Sequence, residues 1–396
     1  IIGGGAAGFF AAINIAEKCP RAQVIILEKS GKLLQKVKVS GGGRCNVTNG
    51  RQLPGDLVPF YPRGGKKLYR PLSQFGTREM RQWLSDRGIP TKVENDQRVF
   101  PVSDSSQTII DCFLRRCEAL NIRILTRQSV RGIGFDQEWK LHIGEEVHGF
   151  DQVVIATGAS EQSWKWMEAL GLQTADRVPS LFTFNIKDPR LQNLQGIAFP
   201  HSEAKVAGTK LAESGPLLIT LLGISGPSIF KLSSVGAKDL ADGSYDFQVV
   251  ISWTGQTADE FRSWLLSATK AYPKKQVANV KVPNCPTRFW SNLLAVLSIG
   301  EQTPLAELSK KAINRLTEEM TQGLFHVKGK STFKEEFVTC GGVVLTEVEM
   351  RTMQCKNYPG LYLAGEALNI DGLTGGFNFQ SCWTAGWLIS EHMRNQ

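Results

Sequence analysis

The apolar positions at the start of the chain predict a strand, a glycine turn, a helix and a second strand. Two isoleucines open the chain, glycines follow, an apolar run extends through Ala16, and Pro20 separates this run from the apolar stretch 23–27. A segment with helical spacing between two short β-like runs is the pattern of a βαβ unit. We therefore expect such a unit over residues 1–28.

Two further helices and a β meander are expected before residue 156. Residues 76–87 and 105–120 carry apolar positions at helical spacing. Short β-like segments follow between residues 122 and 147 and lead into the segment 151–156, which is apolar from Val153 onward. This order predicts a meander that ends in a buried strand.

The middle of the chain changes from β-like runs to helical patterns. Between about residues 179 and 252 the apolar runs are short and separated by Gly and Pro, which predicts a separate β domain without long helices. From Thr257 the pattern is helical, because Thr257 and Glu260 form a capping box. Further helices are expected over 287–298 and from Thr303–Pro304, so this block is interpreted as an all-helical insertion.

β-like segments return after the helical block, and the chain closes on a helix. They cover residues 324–327 and 333–338. A strand over 360–364 then leads through a glycine-rich loop to a final helix over 380–393. Both ends of the chain thus carry a strand, a glycine turn and a helix, and we expect the two glycine clusters to come together in space.

The length of the chain predicts more than one domain, and its net charge raises the question of an anionic partner. A chain of 396 residues usually divides into more than one domain. The formal net charge is +9, from 46 Lys and Arg against 37 Asp and Glu. Because the basic residues are scattered, with only short runs such as 63–67, solubility is favoured over a nucleic-acid patch as the reason for this charge.

The cysteines and the apolar runs indicate in which cellular compartment the protein is expected and whether it spans a membrane. Eight cysteines contain no C-x-x-C pair, which favours free thiols in a reducing compartment and predicts a cytoplasmic protein. The most apolar stretch, 217–230, is broken by two glycines and a proline, so no membrane span is expected. The chain begins on strand residues without a methionine, so we expect residues to be missing there and leave organellar targeting open.

The first glycine cluster predicts a dinucleotide site. Gly3-x-Gly5-x-x-Gly8 follows a strand and opens a helix, the arrangement in which backbone approaches a pyrophosphate at a helix N-terminus. Glu28 ends the second strand, where a carboxylate can accept both hydroxyls of an adenosine ribose. Together these features indicate a dinucleotide whose ribose carries no phosphate.

Further features favour FAD over NAD. The strand 153–158 enters a small-residue turn after the meander and resembles the second dinucleotide contact of flavoproteins. Glu366 follows Gly365 at the end of a late strand, where related flavoproteins place a carboxylate that binds a ribityl hydroxyl. Glycines 372, 375 and 376 would let backbone approach the isoalloxazine ring.

The most distinctive sequence motif of the chain is Ser40-Gly-Gly-Gly-Arg-Cys-Asn-Val-Thr-Asn49. In disulfide reductases of the glutathione reductase type, a redox cysteine pair occupies this place. Here Cys45 stands at the first position and Gly50 at the second, so a dithiol mechanism is excluded at this site. Cys45 is interpreted as packed near the flavin, because the local sequence offers no partner thiol and no base.

With these motifs, the chain resembles the flavoproteins known as NAD(P)/FAD-dependent oxidoreductases, or the aminoacetone oxidase-like family, of the two-dinucleotide-binding-domain type. The sequence motifs that match this family extend from the first glycine cluster to Gln380. The resemblance implies an α/β fold: an FAD-binding Rossmann-like domain of the glutathione reductase type, an inserted β-barrel-like domain and a nested helical domain. The expected segments are FAD domain 1–178, barrel 179–252, helical insert 253–323, barrel return strands 324–337 and FAD domain 338–396.

The motifs and the resemblance together define the expected cofactor contacts. These residues are Gly3, Gly5, Ala6, Ala7, Gly8, Glu28, Lys29, Ser40, Gly41, Gly42, Gly43, Arg44, Cys45, Asn46, Val130, Ala156, Thr157, Gly158, Gly365, Glu366, Gly376, Phe377 and Asn378. No metal site is predicted. The chain departs from the family pattern where Leu221 replaces a histidine and Gln354 replaces an acidic residue.

Three hypotheses about function remain open. The first is an FAD-dependent oxidoreductase that transfers hydride between a small organic molecule and flavin N5, with NAD(P)H or oxygen as the other redox partner. The second is an FAD-dependent RNA-modifying flavoprotein, which the net charge supports. The third is a nucleotide-binding protein without turnover, which Leu221 makes conceivable.

The chain has no second G-x-G-x-x-G after another strand, so NADH or NADPH would dock only transiently as reductant. The catalytic acid or base stays unassigned, because none of the five histidines lies in a flavin motif. His201 and His326 are the two to test, since they lie in or beside the inserted segments. The substrate and the oligomeric state are left open.

Overall fold

The chain forms two compact units in the computed structural model, which describes residues 1–331 and 338–396. The terminal unit comprises Ile1–Pro179 and Phe333–Gln396, and the barrel unit comprises Ser180–Thr332. Most of the predicted segment 333–338 therefore lies outside the described residues. Among the helices that are described, none combines the length and the apolar character needed to cross a membrane.

The elements are numbered in chain order. The α-helices are α1 (Ala6–Lys18), α2 (Gln35–Gly43), α3 (Pro54–Leu57), α4 (Gly65–Gln74), α5 (Thr77–Ser85), α6 (Ser106–Ala119), α7 (Glu161–Ala169), α8 (Pro227–Val235), α9 (Ala237–Asp242), α10 (Ala258–Ala271), α11 (Thr287–Val296), α12 (Lys310–Gln322) and α13 (Phe377–Arg394). The strands are β1 (Ile25–Glu28), β2 (Thr48–Asn49), β3 (Thr91–Val93), β4 (Arg98–Pro101), β5 (Arg123–Thr126), β6 (Val130–Asp136), β7 (Glu138–Ile143), β8 (Glu146–Phe150), β9 (Val153–Ile155), β10 (Thr174–Ser180), β11 (Thr183–Ile186), β12 (Ala198–Val206), β13 (Ala212–Ile219), β14 (Gly223–Ser225), β15 (Asp246–Ser252), β16 (Gly323–Ser331), β17 (Val338–Val343), β18 (Val348–Glu349), β19 (Gln354–Cys355) and β20 (Leu361–Leu363).

A parallel sheet organises the terminal unit. Ile2 forms parallel bridges to Leu27 of β1 and to Ile155 of β9. β1 pairs in parallel with β5, and β9 pairs in parallel with β20. The antiparallel strands β19 and β18 extend the far side. The first strand of the chain thus lies between β1 and β9, so the carboxyl ends of the central strands meet at the first glycine cluster.

The first and last helices pack directly on each other. α1 is apolar on most of its surface, and its residues from Ala7 to Ile15 are all buried. Gly386 of α13 lies so close that a Cβ there would be 2.9 Å from the Ala11 backbone nitrogen. Because the sequence places glycine at this crossing, the two ends of the chain form one packed layer on the sheet.

The predicted meander is confirmed for β6 to β8, whereas β5, at the start of the predicted range, pairs with β1 instead. The helix expected over 105–120 and the capping box at Thr257 are confirmed as well. β6, β7 and β8 form a three-stranded antiparallel sheet. α6 begins after Ser105, whose hydroxyl accepts the Gln107 N–H. Thr257 and Glu260 cap α10 reciprocally.

A closed barrel forms the centre of the barrel unit. Its strand order is β11–β14–β13–β12–β15–β16, and each recorded neighbour pair is antiparallel. α10, α11 and α12 lie between β15 and β16 in the chain, although these two strands pair from Asp246↔Lys328 to Ile251↔Gly323. The helical block is therefore an excursion between paired barrel strands.

In the barrel unit, two short helices were not predicted, and one predicted helix begins later than expected. Residues 227–242 form α8 and α9, where only β-like runs were expected. The helix expected from Thr303–Pro304 begins at Lys310 instead. Leu308 is extended, and the Ser309 hydroxyl accepts the Ala312 N–H, so the serine supplies the stronger N-cap. The predicted α/β class with a barrel is confirmed, while the five finer segment boundaries stay a prediction.

The crossing of α1 and α13 generates a stability prediction. Gly386→Val places a branched side chain against α1 backbone, so we expect the free energy of unfolding to fall by about 2 kcal/mol. Gly134→Val is the matched control, because a Cβ at Gly134 meets no atom within 4 Å. Urea unfolding of both variants measures the difference, and an equal loss of stability in the two would contradict the close packing.

Candidate functional site

The first glycine turn combines two tight positions with one open position. A Cβ on Gly3 would lie 2.4 Å from the Ala156 carbonyl oxygen, and a Cβ on Gly8 would lie 2.0 Å from the Gly3 carbonyl oxygen. A Cβ on Gly5 would meet no atom of the described residues within 4 Å, and Gly5 has φ −95°. Gly3 and Gly8 thus permit the turn to pack, whereas Gly5 leaves open space above it.

The N-terminus of α1 lies at that open space, and within the described residues no side chain caps it. Gly5 is the N-cap, so no side chain accepts the first N–H groups, and the first turn, which includes Ala6 and Ala7, contains no acidic residue. The free N–H groups and the helix dipole both favour an anion at this end. A pyrophosphate group fits such a position.

Glu28 is held beside the turn by two backbone hydrogen bonds. Its Oε2 accepts the Gly4 N–H and its Oε1 accepts the Ser30 N–H, each at 2.8 Å. Each oxygen of a carboxylate can accept more than one donor, so both remain able to bind hydroxyl groups. Its neighbour Lys29 is exposed. The Glu28 carboxylate is therefore fixed in position before any ribose binds.

The last residues of α2, from Ser40 to Gly43, leave the helical conformation and form a loop that is anchored on one side and open on the other. Gly41, Gly42 and Gly43 all have positive φ, at 60°, 69° and 83°. A Cβ on Gly41 would lie 2.8 Å from the Phe100 ring, whereas Cβ atoms on Gly42 and Gly43 would meet nothing within 4 Å. The Ser40 carbonyl accepts the Cys45 N–H at 2.9 Å and closes the loop. The open side presents bare backbone to a ligand.

The Arg44 side chain supports this loop by ion pairing. Its Nη1 lies 2.7 Å from Glu94 Oε1 and 3.4 Å from Asp104 Oδ1, and its guanidinium carbon lies 3.9 Å from the Phe100 ring centre. The positive charge of Arg44 is therefore already paired. A cofactor contact by Arg44 stays a prediction, and these pairs favour its backbone for that role.

Cys45 is a buried thiol in a strained backbone position. Its side chain is fully buried and its φ is 62°. Burial raises the pKa of the Cys45 thiol to about 12. At neutral pH the residue is a protonated, apolar packing group, which supports the interpretation that it does not act as a nucleophile.

Asn46 and Asn49 connect this loop to the late glycine cluster. With its amide oriented to satisfy both partners, Asn46 donates to the Thr48 carbonyl and accepts the Gly376 N–H, each at 3.0 Å. Asn49 donates to the Gly375 carbonyl at 2.9 Å. A Cβ on Gly376 would lie 2.2 Å from the Thr48 carbonyl oxygen. Two segments over 320 residues apart in sequence thus lie in contact.

The late cluster is held by its own side chains. Asn378 Oδ1 accepts the Gly372 N–H and its Nδ2 donates to the Gly372 carbonyl, each at 2.8 Å. Phe377 is buried and stacks on Phe60 with ring centres 4.6 Å apart. Gly376, with φ 88°, is the N-cap of α13, and within the described residues no side chain accepts the N–H groups of the first turn that follows it. The start of α13 is thus a second helix N-terminus suited to negative charge.

Glu366 carries a buried acceptor without a donor. Its Oε1 accepts Lys36 Nζ at 2.6 Å. Its Oε2 is buried and has no hydrogen-bond partner among the residues that the structure describes. A Cβ on Gly365 would lie 3.4 Å from Ala7 Cβ, so this carboxylate is brought to the first helix. A ribityl hydroxyl would satisfy the buried oxygen, because an unpaired buried acceptor is costly.

The remaining expected contacts lie at the end of β9 and the start of β6. The Ala156 N–H donates to the Ile2 carbonyl at 2.8 Å, and Thr157 Oγ1 donates to Ser163 Oγ at 2.7 Å. Gly158 has φ 62° and open space at its Cβ position. Val130 is buried in the same core as Ile2. Ala156 therefore borders the first turn directly, and Val130 belongs to the core beneath it.

Sequence reasoning missed the partner of Glu366. Lys36 is separated from it by 330 residues, and no local motif marks the lysine. Leu221, the residue at the family histidine position, lies in the turn between β13 and β14 and is 83% exposed. His201 and His326 are both exposed residues of the barrel unit, and His326 Nε2 lies 2.5 Å from Asp246 Oδ1. None of the described contacts makes either histidine an acid or base.

Comparison with known proteins gives matches over nearly the whole chain. The family model described as the HI0933-like protein Rossmann domain matches residues 1–392. The chain is 28% identical to the ribosomal RNA dihydrouridine synthase of Escherichia coli, covering 99% of this chain and 97% of the relative. It is 26% identical to the 3-dehydro-bile acid delta(4,6)-reductase of Clostridium scindens, covering 98% and 97%.

A solved structure supports the fold. The 3-ketosteroid-delta4-(5alpha)-dehydrogenase from Rhodococcus jostii RHA1 aligns with a TM-score of 0.53 and 15% identity, covering 100% of this chain and 96% of that one. At this identity the similarity concerns the fold alone.

The open glycine of the first turn generates a prediction about cofactor binding. Gly5→Val would fill the space expected for pyrophosphate without straining the backbone, so we expect FAD affinity to fall at least ~100-fold while apo-protein stability is unchanged. Gly8→Val is the contrasting variant, because its side chain would collide with the Gly3 carbonyl and destabilise the fold itself. Equilibrium dialysis with FAD and thermal unfolding separate the two effects.

The buried thiol generates a second prediction. Cys45→Ala removes one sulfur and leaves the backbone hydrogen bonds of the loop in place, so the rate of flavin reduction should change less than ~5-fold. Stopped-flow absorbance measures that rate in both proteins. If the variant binds FAD normally but loses reduction entirely, Cys45 has a chemical role.

Proposed function

The chain belongs to the HI0933-like Rossmann-domain family, and from that premise we propose that it is an FAD-dependent reductase of a carbon–carbon double bond conjugated to a carbonyl group. The family membership confirms the resemblance to FAD-dependent oxidoreductases and identifies FAD as the cofactor. The direction of the reaction and the kind of acceptor are the parts that we propose.

The cradle built from both ends of the chain is the observation that carries the proposal. Gly5 leaves space at the N-terminus of α1, Glu28 is fixed beside it, and the buried Oε2 of Glu366 lacks a donor. These groups fit a pyrophosphate, a ribose and a ribityl chain in turn. Bound FAD supplies two-electron chemistry at its N5 atom.

The chain's own residues would orient the ring system and stabilise charge on it. The backbone at Gly42 and Gly43 is open, so a flat ring can approach without meeting a side chain. The uncapped N-terminus of α13 would stabilise negative charge that develops on the ring. Lys36 would hold the Glu366 carboxylate in place from the other side.

The kind of acceptor is inferred from what the relatives' names share. One relative makes dihydrouridine, which is uridine with a double bond reduced, and the other reduces the delta(4,6) bonds of a 3-dehydro-bile acid. In uridine and in the 3-dehydro-bile acid alike, the carbon–carbon double bonds that are reduced are conjugated with a carbonyl group. The net reaction adds a hydride and a proton across the bond, and NADPH or NADH is oxidised to supply the two electrons.

RNA is the second candidate for the substrate, beside a small molecule. The name of the Escherichia coli relative supports it, and so does the formal charge of +9. Either substrate is compatible with the same cradle and the same reduction. The two candidates differ in whether the protein offers a surface for a polyanion.

The first test is an anaerobic titration of the purified protein with NADPH and then NADH. We expect at least one nucleotide to bleach the flavin absorbance, because the proposed reaction needs an external hydride donor. A 3-oxo-4-ene steroid should then restore the colour, whereas its saturated 3-ketone, which lacks the double bond, should not. Uridine-rich RNA should gain two hydrogen atoms per modified base if RNA is the substrate, which mass spectrometry detects.

Failure of both nucleotides to reduce the flavin would contradict the proposed direction of the reaction. If neither nucleotide bleaches the flavin but an amine or alcohol does, the protein is an oxidase and the proposed direction is wrong. Readmission of air after bleaching shows separately whether oxygen serves as an acceptor.

A further inference from the structure

A basic cavity lies in the terminal unit, lined by residues that belong to none of the cofactor motifs. Its volume is about 530 Å³, and its walls come from α4 and from the segment 345–356, which contains β18 and β19. Five of its lining residues are cationic: Lys66, Lys67, Arg70, Arg351 and Lys356. Glu349 is the one acidic residue among the lining residues, so four positive charges are in formal excess.

Within the described residues, no carboxylate is paired with these cations. All five are exposed, and none forms an ion pair with a carboxylate within residues 1–331 and 338–396. Glu349 instead accepts the backbone N–H of Arg351 at 3.2 Å. Elsewhere in the same unit Arg44, Arg63 and Arg87 each pair with a carboxylate. The cavity therefore concentrates unpaired positive charge and attracts polyanions.

Both walls are fixed to the core of the unit. Leu68 and Leu72 bury the inner face of α4, so its basic residues point outward. α4 is tied to α13 because Thr384 Oγ1 donates to the Phe75 carbonyl at 2.8 Å. On the other wall, Val348 pairs with Cys355, and both are buried. The cationic side chains thus project from a rigid scaffold.

An aromatic side chain stands among the cations. Tyr69 lines the cavity and is 52% exposed, so much of its ring is accessible to a ligand. Exposed aromatic residues beside basic groups are the arrangement that stacks unpaired bases while the cations bind the backbone phosphates. Charge and stacking together fit a single-stranded nucleic acid.

The cavity adjoins the loop that leads to the late glycine cluster. Leu345, one of its lining residues, and Ile370 both lie near Gly64, where a Cβ would be 3.2 Å from the first and 2.7 Å from the second. Arg63 also forms an ion pair with the fully buried Asp371. A polymer held in the cavity would therefore lie beside the segment that leads to Gly372 and Gly376.

We propose that this cavity binds the phosphodiester backbone of single-stranded RNA, and so docks an RNA substrate on the terminal unit. The inference rests on the proposed reductase function for its purpose, but its binding test does not depend on turnover. The lining includes no glycine and no glycine-rich turn of the kind that cradles a nicotinamide dinucleotide, so long side chains would make the contacts. This pattern favours RNA over NADPH as the occupant.

The test compares two variants of equal charge. One replaces Lys66, Lys67, Arg70, Arg351 and Lys356 by Gln, and the control replaces five exposed lysines of the barrel unit, Lys238, Lys274, Lys281, Lys310 and Lys311. The probe is a fluorescein-labelled oligouridylate, and its anisotropy is measured over a salt series with the FAD-bound proteins. The cavity variant should bind at least ~10-fold more weakly, with a salt slope shallower by about 3, while the control changes less than ~3-fold.

Tyr69→Ala tests the stacking separately. It changes no charge, so it should weaken RNA binding by roughly 5-fold or more and leave the salt slope unaltered. Circular dichroism and FAD content confirm that each variant is folded.

The other outcomes overturn the inference. Equal losses in the cavity and control variants mean that general charge alone attracts RNA, and no loss in the cavity variant means that RNA binds elsewhere. If the cavity variant instead needs more NADPH to bleach the flavin but binds RNA normally, the cavity is a nucleotide site. Failure of NADPH and NADH to bleach the wild-type flavin would remove the proposed reductase function while leaving the RNA result to stand by itself.

Discussion

The close packing of the first helix on the last is the constraint on which the candidate site depends. The Cβ position of Gly386 lies 2.9 Å from α1 backbone, and that of Gly365 lies 3.4 Å from Ala7 Cβ. This approach brings the first glycine turn, Glu366 and the loop 372–378 to one place. Since the barrel unit lies between these segments in the chain, the site exists only when two distant parts of the sequence have folded together. A ligand that contacts both would stabilise that junction by mass action.

Glycine has two separate purposes in this junction. At Gly3, Gly8 and Gly376 a Cβ would collide with a backbone carbonyl oxygen at 2.0 to 2.4 Å, so these glycines are required by the fold. At Gly5 and Gly42 a Cβ would meet nothing, so these glycines are not required by packing. The sequence motif alone does not separate the two groups. The structure does, because it shows which positions face protein and which face empty space.

Local patterns were predictable and long-range pairings were not. The turn with Glu28, the meander and the capping box of α10 each depend on residues close in sequence, and their periodicity or spacing identifies them. The pairing of Lys36 with Glu366 joins residues 330 positions apart, so no local signal marks it. The start of α12 was misplaced for a related reason: Thr303–Pro304 satisfies the local rule, but Ser309 satisfies it too, and the extended Leu308 between them decides in favour of the serine.

The described residues of the terminal unit offer negative charge two physically different environments. At the cradle the nearby cations Arg44 and Lys36 are already paired with carboxylates, so a bound anion would be held by backbone N–H groups and helix dipoles. Fixed dipoles at close range release few counterions, which suits a cofactor that must stay bound at any ionic strength. In the basic cavity between α4 and the segment 345–356, the cations are exposed and unpaired within the described residues. Binding of an anion there depends on counterion release. That mode suits a partner that must leave after each reaction, so the net positive charge serves to recruit a polyanion, whereas the backbone dipoles of the cradle hold the cofactor.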